Sequence, residues 1–398
     1  MIKIRLKPIK VALINYNLAG GGAERNLINL ANNFPKTINA DVIVFKDINN
    51  YSHLTKRLTI VSLLKKNEKV NSLTMVFYLS LVFFRAIKTF ISGKYQVYVG
   101  TVEGWPYYIA VITARLLGKK SLLVVGNNLT AEYRSKWFTR LLIKVSLQQT
   151  DYIISVSQGV KQDLITRFGI KKEKISTIPN GVDLSSISKN KRQWKKYQFA
   201  IITAGRLVTR KGHDQLIEAF ARLVKLYPKI QLQILGQGPQ LTYLQEKVAQ
   251  LKITSQVHFL GFQTNPINFF KKASIFVLPS RYEGFANVLI EALACGVAVI
   301  SSDCPYGPRE ILTGKKSRYK PVRQITFSRY GILVPPVFPP IKKGQLTICD
   351  YLVQGISQLF TQPKRLLYYQ QIGLQRAQDY SLDKMVKAYT RLISQMVK

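Results

Sequence analysis

The chain has 398 residues, of which 47% are hydrophobic and 20% charged, a length that suits two domains and a composition that excludes a disordered chain. Its three cysteines, Cys295, Cys304 and Cys349, are too few and too scattered for a disulfide scaffold or a zinc knuckle, which points to a reducing compartment. The 59 Lys and Arg against 20 Asp and Glu give a formal net charge of +39, a field that attracts phosphorylated donors, anionic lipid or nucleic acid.

The opening MIKIRLKPIKVALIN is basic and then apolar, and Ala12 to Asn17 reads as a first buried strand rather than as part of a cleavable leader. Short apolar runs then alternate with helical stretches, the pattern of stacked β-α units and parallel sheets. Predicted strands in the first part are Lys10–Asn15, Asp41–Phe45, Tyr95–Gly100, Ser121–Val125 and Tyr152–Val156. In the second they are Phe199–Ala204, Gln231–Leu235, Val257–Leu260, Ile275–Leu278 and Ala298–Ser301. Most are continuous runs of Val, Ile and Leu, as expected of strands covered on both faces. The fold class is therefore α/β, with two doubly wound parallel-sheet domains facing each other across a cleft. The expected domains are 1–185 and 196–378, joined through Pro179–Asp183 and the polar stretch SSISKNKRQWKK, with a C-terminal helix in 379–398 packing back on the first domain. Residues Gly314 to Gly344, with GKKSRYKPVRQ and PPVFPP, read as irregular.

Leu73 to Phe90 (LTMVFYLSLVFFRAIKTF) raises the membrane question. Its apolar core, Met75 to Phe84, is too short to span a bilayer and is followed at once by Arg85 and Lys88. It is either a buried helix or one lying in the interface of an anionic membrane, a partner that the charge would favour. Both parts of the chain are basic, with 27 Lys and Arg against 10 acids through Ser185 and 32 against 10 beyond it. No zinc-finger spacing, aromatic ribonucleoprotein motif or basic zipper accompanies the charge, so nucleic acid is not an expected partner.

Three segments carry chemistry. Gly20, Gly21 and Gly22 follow the first strand and open a helix, where a backbone can approach a ligand and helix-start N–H groups favour anions. This is not the dinucleotide fingerprint, because Arg25 stands where GxGxxG needs its last glycine. Gly205, Arg206 and Lys211 follow the first strand of the second domain, at the edge where open α/β sheets bind ligands. A guanidinium and an ammonium there suit a diphosphate leaving group.

The third segment is Pro279 to Ala292, PSRYEGFANVLIEA. On a single helix Glu283 and Glu291 would lie about 12 Å apart along the axis, too far for the carboxylate pair of a retaining glycosidase. The preferred reading puts Glu283 on a loop and Glu291 on a helix starting near Asn287. Glu283 and the loop amides of Gly284, Phe285, Ala286 and Asn287 would then face a sugar and phosphate, and Glu291 a ribose diol.

These residues resemble family 4 glycosyltransferases of the GT-B fold, through GGAER, PNGVD, GRLVTRKG, PSRYEGFANVLIEALACG and YGILVPP. The likeness covers nearly the whole chain, and Ser302 to Leu312 is similar to a subgroup that builds bacterial surface or lipid-linked glycans. The resemblance implies a retaining enzyme with a nucleotide-sugar donor, a UDP-sugar more often than GDP, and a glycan or lipid-linked acceptor. It implies two Rossmann-like domains and an enzyme in the cytoplasm, on the inner face of the membrane if the interfacial reading holds. Arg206 and Lys211 would bind the diphosphate, Glu283 the sugar hydroxyls and Glu291 the ribose, making Glu283, Arg206 and Lys211 the catalytic set. Phe285, Ala286 and Asn287 would supply backbone amides.

The chain departs from the family at Val125–Gly126–Asn127–Asn128, where relatives often read VHNN, so that Gly126 takes the histidine position and Asn127 or Asn128 is left to help an acceptor. None of His53, His213 and His258 fits that place, and His213 reads as a surface or packing residue. No D-x-D sequence occurs, so neither a metal nor another cofactor is expected. The rival readings are a nucleotide-sugar epimerase or phosphorylase on a similar scaffold, and a basic protein that binds lipid or glycan without catalysis.

Overall fold

A computed structural model describes residues 7–46, 48, 60–62, 85–86, 88–188, 200–315, 320–336 and 346–398. The chain divides into two compact units, Met1–Gly181 with Leu382–Lys398, and Val182–Ser381.

The first unit is built on β1 (Ile9–Asn15), β2 (Ile38–Val44), β3 (Ile60–Ser62), β4 (Val97–Gly100), β5 (Lys120–Val125), β6 (Tyr152–Ser155) and β7 (Ile175–Thr177). They form one sheet in the order β3-β2-β1-β4-β5-β6-β7, with every pairing parallel. The order reverses between β1 and β4, and in open sheets of this kind ligands bind at the carboxyl ends of the strands at that switch. Val11, Leu13, Val42, Val97 and Leu122 are fully buried, because crossover helices cover both faces of the sheet. Each such side chain contributes about 1.5–3 kcal/mol by leaving water.

The last helix, Leu382–Val397, belongs to this unit. Leu382, Met385, Val386, Tyr389, Leu392, Ile393 and Met396 recur at helical spacing, and all are buried in the same core as β1 and the helix Gly22–Asn33.

The second unit repeats the plan with β8 (Ala200–Ala204), β9 (Gln231–Leu235), β10 (Val257–Phe259), β11 (Ile275–Leu278), β12 (Ala298–Ser302), β13 (Thr326–Ser328) and β14 (Gly331–Val334). Their order is β10-β9-β8-β11-β12-β14-β13, parallel except for the β13–β14 hairpin, and the switch falls between β8 and β11. The hairpin corrects the expectation that Gly314 to Gly344 is irregular throughout. Ile332, Leu333 and Val334 are fully buried beside β12, and four residues held by a neighbour suffice for a strand too short to show a period.

Residues 63–84, the greater part of Leu73–Phe90, lie outside the described residues; Ala86 and Phe90 are buried. Most of SSISKNKRQWKK also lies outside them, after the short helix Leu184–Ser188. Among the described residues no helix is long and apolar enough to cross a membrane.

Candidate active site

In the second unit the two strands that flank the switch each hand over to a loop that carries predicted site residues. After β8, Gly205 and an exposed Arg206 lead into a single turn, Thr209–Lys211, and then into the helix His213–Leu226. After β11 comes Pro279–Ala286. Gly212, at φ 68°, lets the two loops meet, since a Cβ there would lie 2.1 Å from the Pro279 carbonyl oxygen. Arg281 closes the junction with a forked pair to Asp214, at 2.8 and 3.2 Å, and its N–H donates to the Arg210 carbonyl at 2.7 Å.

Inside this junction Lys211 Nζ stands 2.6 Å from Glu283 Oε1, with both side chains largely buried. Ser280 Oγ donates to the same oxygen at 2.6 Å, and Ser302 Oγ donates to the Ser280 carbonyl. Burial alone would raise the Glu283 carboxyl, but the charge and hydrogen bond of Lys211, then the Ser280 hydroxyl, outweigh it and hold the carboxyl below its ordinary value. Glu283 is thus a buried, ionised acceptor whose position is fixed from two sides. His213, one turn away, is buried with its imidazole pushed down to about 4, by burial first and by the Lys211 charge second. It is a neutral packing residue and does not reach the surface.

The Glu283 loop is braced from behind. Its N–H donates to the Pro305 carbonyl at 2.7 Å, and the Tyr306 N–H donates to the Glu283 carbonyl at 3.1 Å. At Gly307 a Cβ would come within 2.4 Å of Phe285 Cα, so the two segments touch backbone to backbone. Phe285 is buried with its ring edge-on to Tyr380, at 5.4 Å between centroids. Gly284 is also buried, and Ala286 takes a left-handed turn, φ 69°, that starts the helix Asn287–Ala294. Glu291 sits buried on that helix while Glu283 lies on the loop before it, the division that the spacing suggested.

In the first unit Gly20, Gly21 and Gly22 follow β1, with Gly21 at the start of the helix Gly22–Asn33 and the Arg25 N–H donating to the Gly21 carbonyl. Gly126 and Asn127 lie beyond β5. Open space surrounds the position of a Cβ at Gly126. Asn127 Nδ2 donates to both oxygens of Glu103, at 3.3 and 3.4 Å. Asn128 is committed elsewhere: its side-chain oxygen accepts from the Ala131 N–H at 3.0 Å and caps the helix Leu129–Glu132.

Sequence reading missed three contributors. Ser280 and the 302–307 segment support Glu283 through contacts that no local spacing announces. Glu103, beyond β4 at the switch, is a single carboxylate in TVEGWP, and only its partner Asn127 marks it.

The family model for glycosyl transferases group 1 matches residues 185–320, and that for glycosyltransferase family 4 matches residues 20–186. A glycosyltransferase of Methanocaldococcus jannaschii is 30% identical over 314 residues, covering 72% of this chain and 76% of its own. The chain belongs to glycosyltransferase family 4. Another relative of this family 4 chain is the N-acetylgalactosamine-N,N'-diacetylbacillosaminyl-diphospho-undecaprenol 4-alpha-N-acetylgalactosaminyltransferase of Campylobacter jejuni. It is 30% identical over 311 residues, with 76% of this chain and 83% of the relative covered. Among solved structures, Anabaena HepE in complex with UDP and glucose superposes with a TM-score of 0.77 at 19% identity, over 97% of this chain and 99% of that one. A TarM mutant of S. aureus in complex with fondaparinux, alpha-GlcNAc-glycerol and UDP superposes at 0.75 with 13% identity, over 98% of this chain and 100% of that one. At those identities the superpositions establish the GT-B fold of two Rossmann-like domains.

Proposed function

We propose that this family 4 glycosyltransferase moves a sugar from a UDP-sugar, with retention of configuration, to a lipid-linked glycan at the cytoplasmic face of a membrane, in the synthesis of a bacterial polysaccharide or glycoconjugate. The observation that carries the reading is the buried Lys211–Glu283 pair at the β8/β11 switch, which sets a cation for phosphate beside an ionised acceptor for sugar hydroxyls. The Campylobacter jejuni relative, named for a diphospho-undecaprenol acceptor, supports the lipid-linked acceptor. HepE and TarM, solved with UDP, support the base.

In this reading Arg206 and Lys211 grip the diphosphate, and the N–H groups of Phe285, Ala286 and Asn287 add the field of a helix start. Glu283 accepts from sugar hydroxyls and Glu291 from the ribose. As the sugar–phosphate bond breaks, charge grows on the departing diphosphate, where fixed cations stabilise the transition state more than the bound donor. The acceptor oxygen bonds to the anomeric carbon on the same face, and its proton passes to the departing phosphate oxygen. Protein cations serve the leaving group here, so chelation should leave turnover unchanged. In the first unit, Glu103 with Asn127 receives the acceptor hydroxyl beside Gly126.

The test is a thermal-shift screen across UDP- and GDP-sugars, followed by turnover with the best binder. A ligand of the folded state raises the apparent stability, by about 2.7 kcal/mol at a hundred times its Kd. Stabilisation by a UDP-sugar that is absent in Lys211→Ala is the expected result. No response to any nucleotide diphosphate would overturn the reading in favour of a non-catalytic binding protein.

A further inference from the structure

A helix on the surface of a soluble unit turns one apolar stripe to the core and a polar face to water. The helix Trp137–Gln149 (WFTRLLIKVSLQQ) does not. Its core side is Ile143, Ser146 and Leu147, yet Trp137, Phe138, Leu141, Leu142 and Val145 form a second stripe that faces outward, with Trp137 75% and Phe138 57% exposed. Lys136, Arg140 and Lys144 border this stripe, and the helix contains no acidic residue.

The neighbouring helix, Trp105–Leu116, has the same character. It packs against Trp137–Gln149, and Arg115 reaches the Gln149 carbonyl at 3.5 Å, so the two helices end together. Trp105, Ile112 and Leu116 are exposed on it, Leu116 at 67%, and Arg115, Lys119 and Lys120 follow at its end. Each helix runs from the carboxyl edge of the sheet back toward the amino edge, which puts Trp105 and Trp137 at the edge that carries the glycine loop, Glu103 and Asn127.

We infer that the outward faces of these two helices dock the first unit on an anionic lipid bilayer. The chemistry selects that occupant: aliphatic side chains to enter the acyl boundary, tryptophans suited to the headgroup level, and flanking cations for anionic headgroups. The arrangement holds the acceptor edge of the sheet at the membrane surface. The inference deepens the membrane part of the proposed function and is independent of the donor. The face lies apart in sequence from Leu73–Phe90, the greater part of which is outside the described residues.

The experiment is sedimentation of the full chain with phosphatidylcholine vesicles, with and without about a quarter phosphatidylglycerol. It is run on wild type, on Trp137→Ala/Phe138→Ser and on Lys136→Gln/Arg140→Gln/Lys144→Gln. Wild type should pellet with the anionic vesicles in a salt-sensitive way. The aromatic variant should bind about tenfold more weakly, and the charge variant on the order of a hundredfold more weakly. Stabilisation by the donor should persist in both variants. In a Trp105→Phe/Trp194→Phe background, Trp137 fluorescence should shift to the blue on anionic vesicles. If wild type fails to pellet, both this inference and the membrane part of the proposed function fall, while sugar transfer stands. If the variants pellet as wild type does, or Trp137 emission does not move, lipid docks elsewhere and the inference alone is overturned. A wild-type dimer that the aromatic variant dissolves without lipid would make the face an interface between copies, and would equally overturn it.

Discussion

Lys211 and Glu283, 72 positions apart in sequence, meet at 2.6 Å because two strands that flank the sheet switch release their loops toward each other. Under the proposed function the contact would link the phosphate side of a donor site to the sugar side, and the shared ion pair means that neither residue can be changed without disturbing the other.

Lys211→Ala should therefore act twice. It removes a phosphate ligand and leaves a buried carboxylate without its cation, and breaking such a pair costs about 3–5 kcal/mol. Turnover should fall at least on the order of a hundredfold, as for the loss of one oxyanion donor. A donor titration and a urea denaturation on the same variant separate the two effects. Glu283→Gln should lower turnover with a smaller loss of stability, since an amide is easier to bury than an unpaired carboxylate.

Stability should fall on the acid side. His213 titrates near 6.5 unfolded and at about 4 folded, so the neutral folded form contributes fully above pH 6.5 and loses that contribution as the pH falls toward 4. The span is worth about 3 kcal/mol. Glu283 acts in the same direction over a lower range: its contribution is present above the unfolded value of 4.5 and is lost as the pH falls through its depressed folded value. Urea denaturation at a series of pH values should show the decline, and His213→Phe should remove the part between pH 6.5 and 4.

Gly212→Ala should dislocate the donor loops. The left-handed backbone disfavours any side chain by about 1–2 kcal/mol, and the new methyl would strike the Pro279 carbonyl. Gly118→Ala is the control, because its φ is 61° and nothing lies within 4 Å of its Cβ. Both variants should lose stability, but only Gly212→Ala should lose the stabilisation given by the donor.

On the first unit, Glu103→Ala should lower turnover by about a hundredfold, in the range of a lost general acid–base group, and leave donor binding intact. Gly126→His should fold as wild type, since the space around a Cβ at that position is open. Its unfolding free energy should stay within about 0.5 kcal/mol of wild type, as for other surface changes. Single-turnover kinetics with donor and acceptor varied separately checks both variants.

The central strands were legible because burial on both faces makes them continuous apolar runs: Gln231–Leu235 and Ile275–Leu278 were read to the residue. Ile60–Ser62, Ile175–Thr177 and the β13–β14 hairpin were not, since three or four residues carry no period and are held by neighbours distant in sequence. The two loops at the second sheet's switch were legible through glycines and charges at strand ends, whereas Ser280 and the Pro305 carbonyl support Glu283 through tertiary contacts alone. The outward stripe of Trp137–Gln149 escaped notice for a different reason. Its apolar residues are interleaved with Arg140 and Lys144, so its composition looks ordinary until the helix shows which side each one takes.

The placement of Leu382–Val397 in the first core makes the second unit an insertion within the first, entered after Gly181 and left after Ser381. The two passages run side by side, with Val182 bridged to Ser381 and its N–H donating to the Tyr380 carbonyl at 2.9 Å. On a ribosome, domains ordinarily mature in the order of their synthesis. Here the order inverts: every residue of the second unit is made before the helix that completes the first, so a nascent chain holds its amino-terminal unit open, with the seat of Ile393 and Met396 uncovered, until the whole second unit has been made. Chaperone demand during biogenesis should therefore fall on the amino-terminal half.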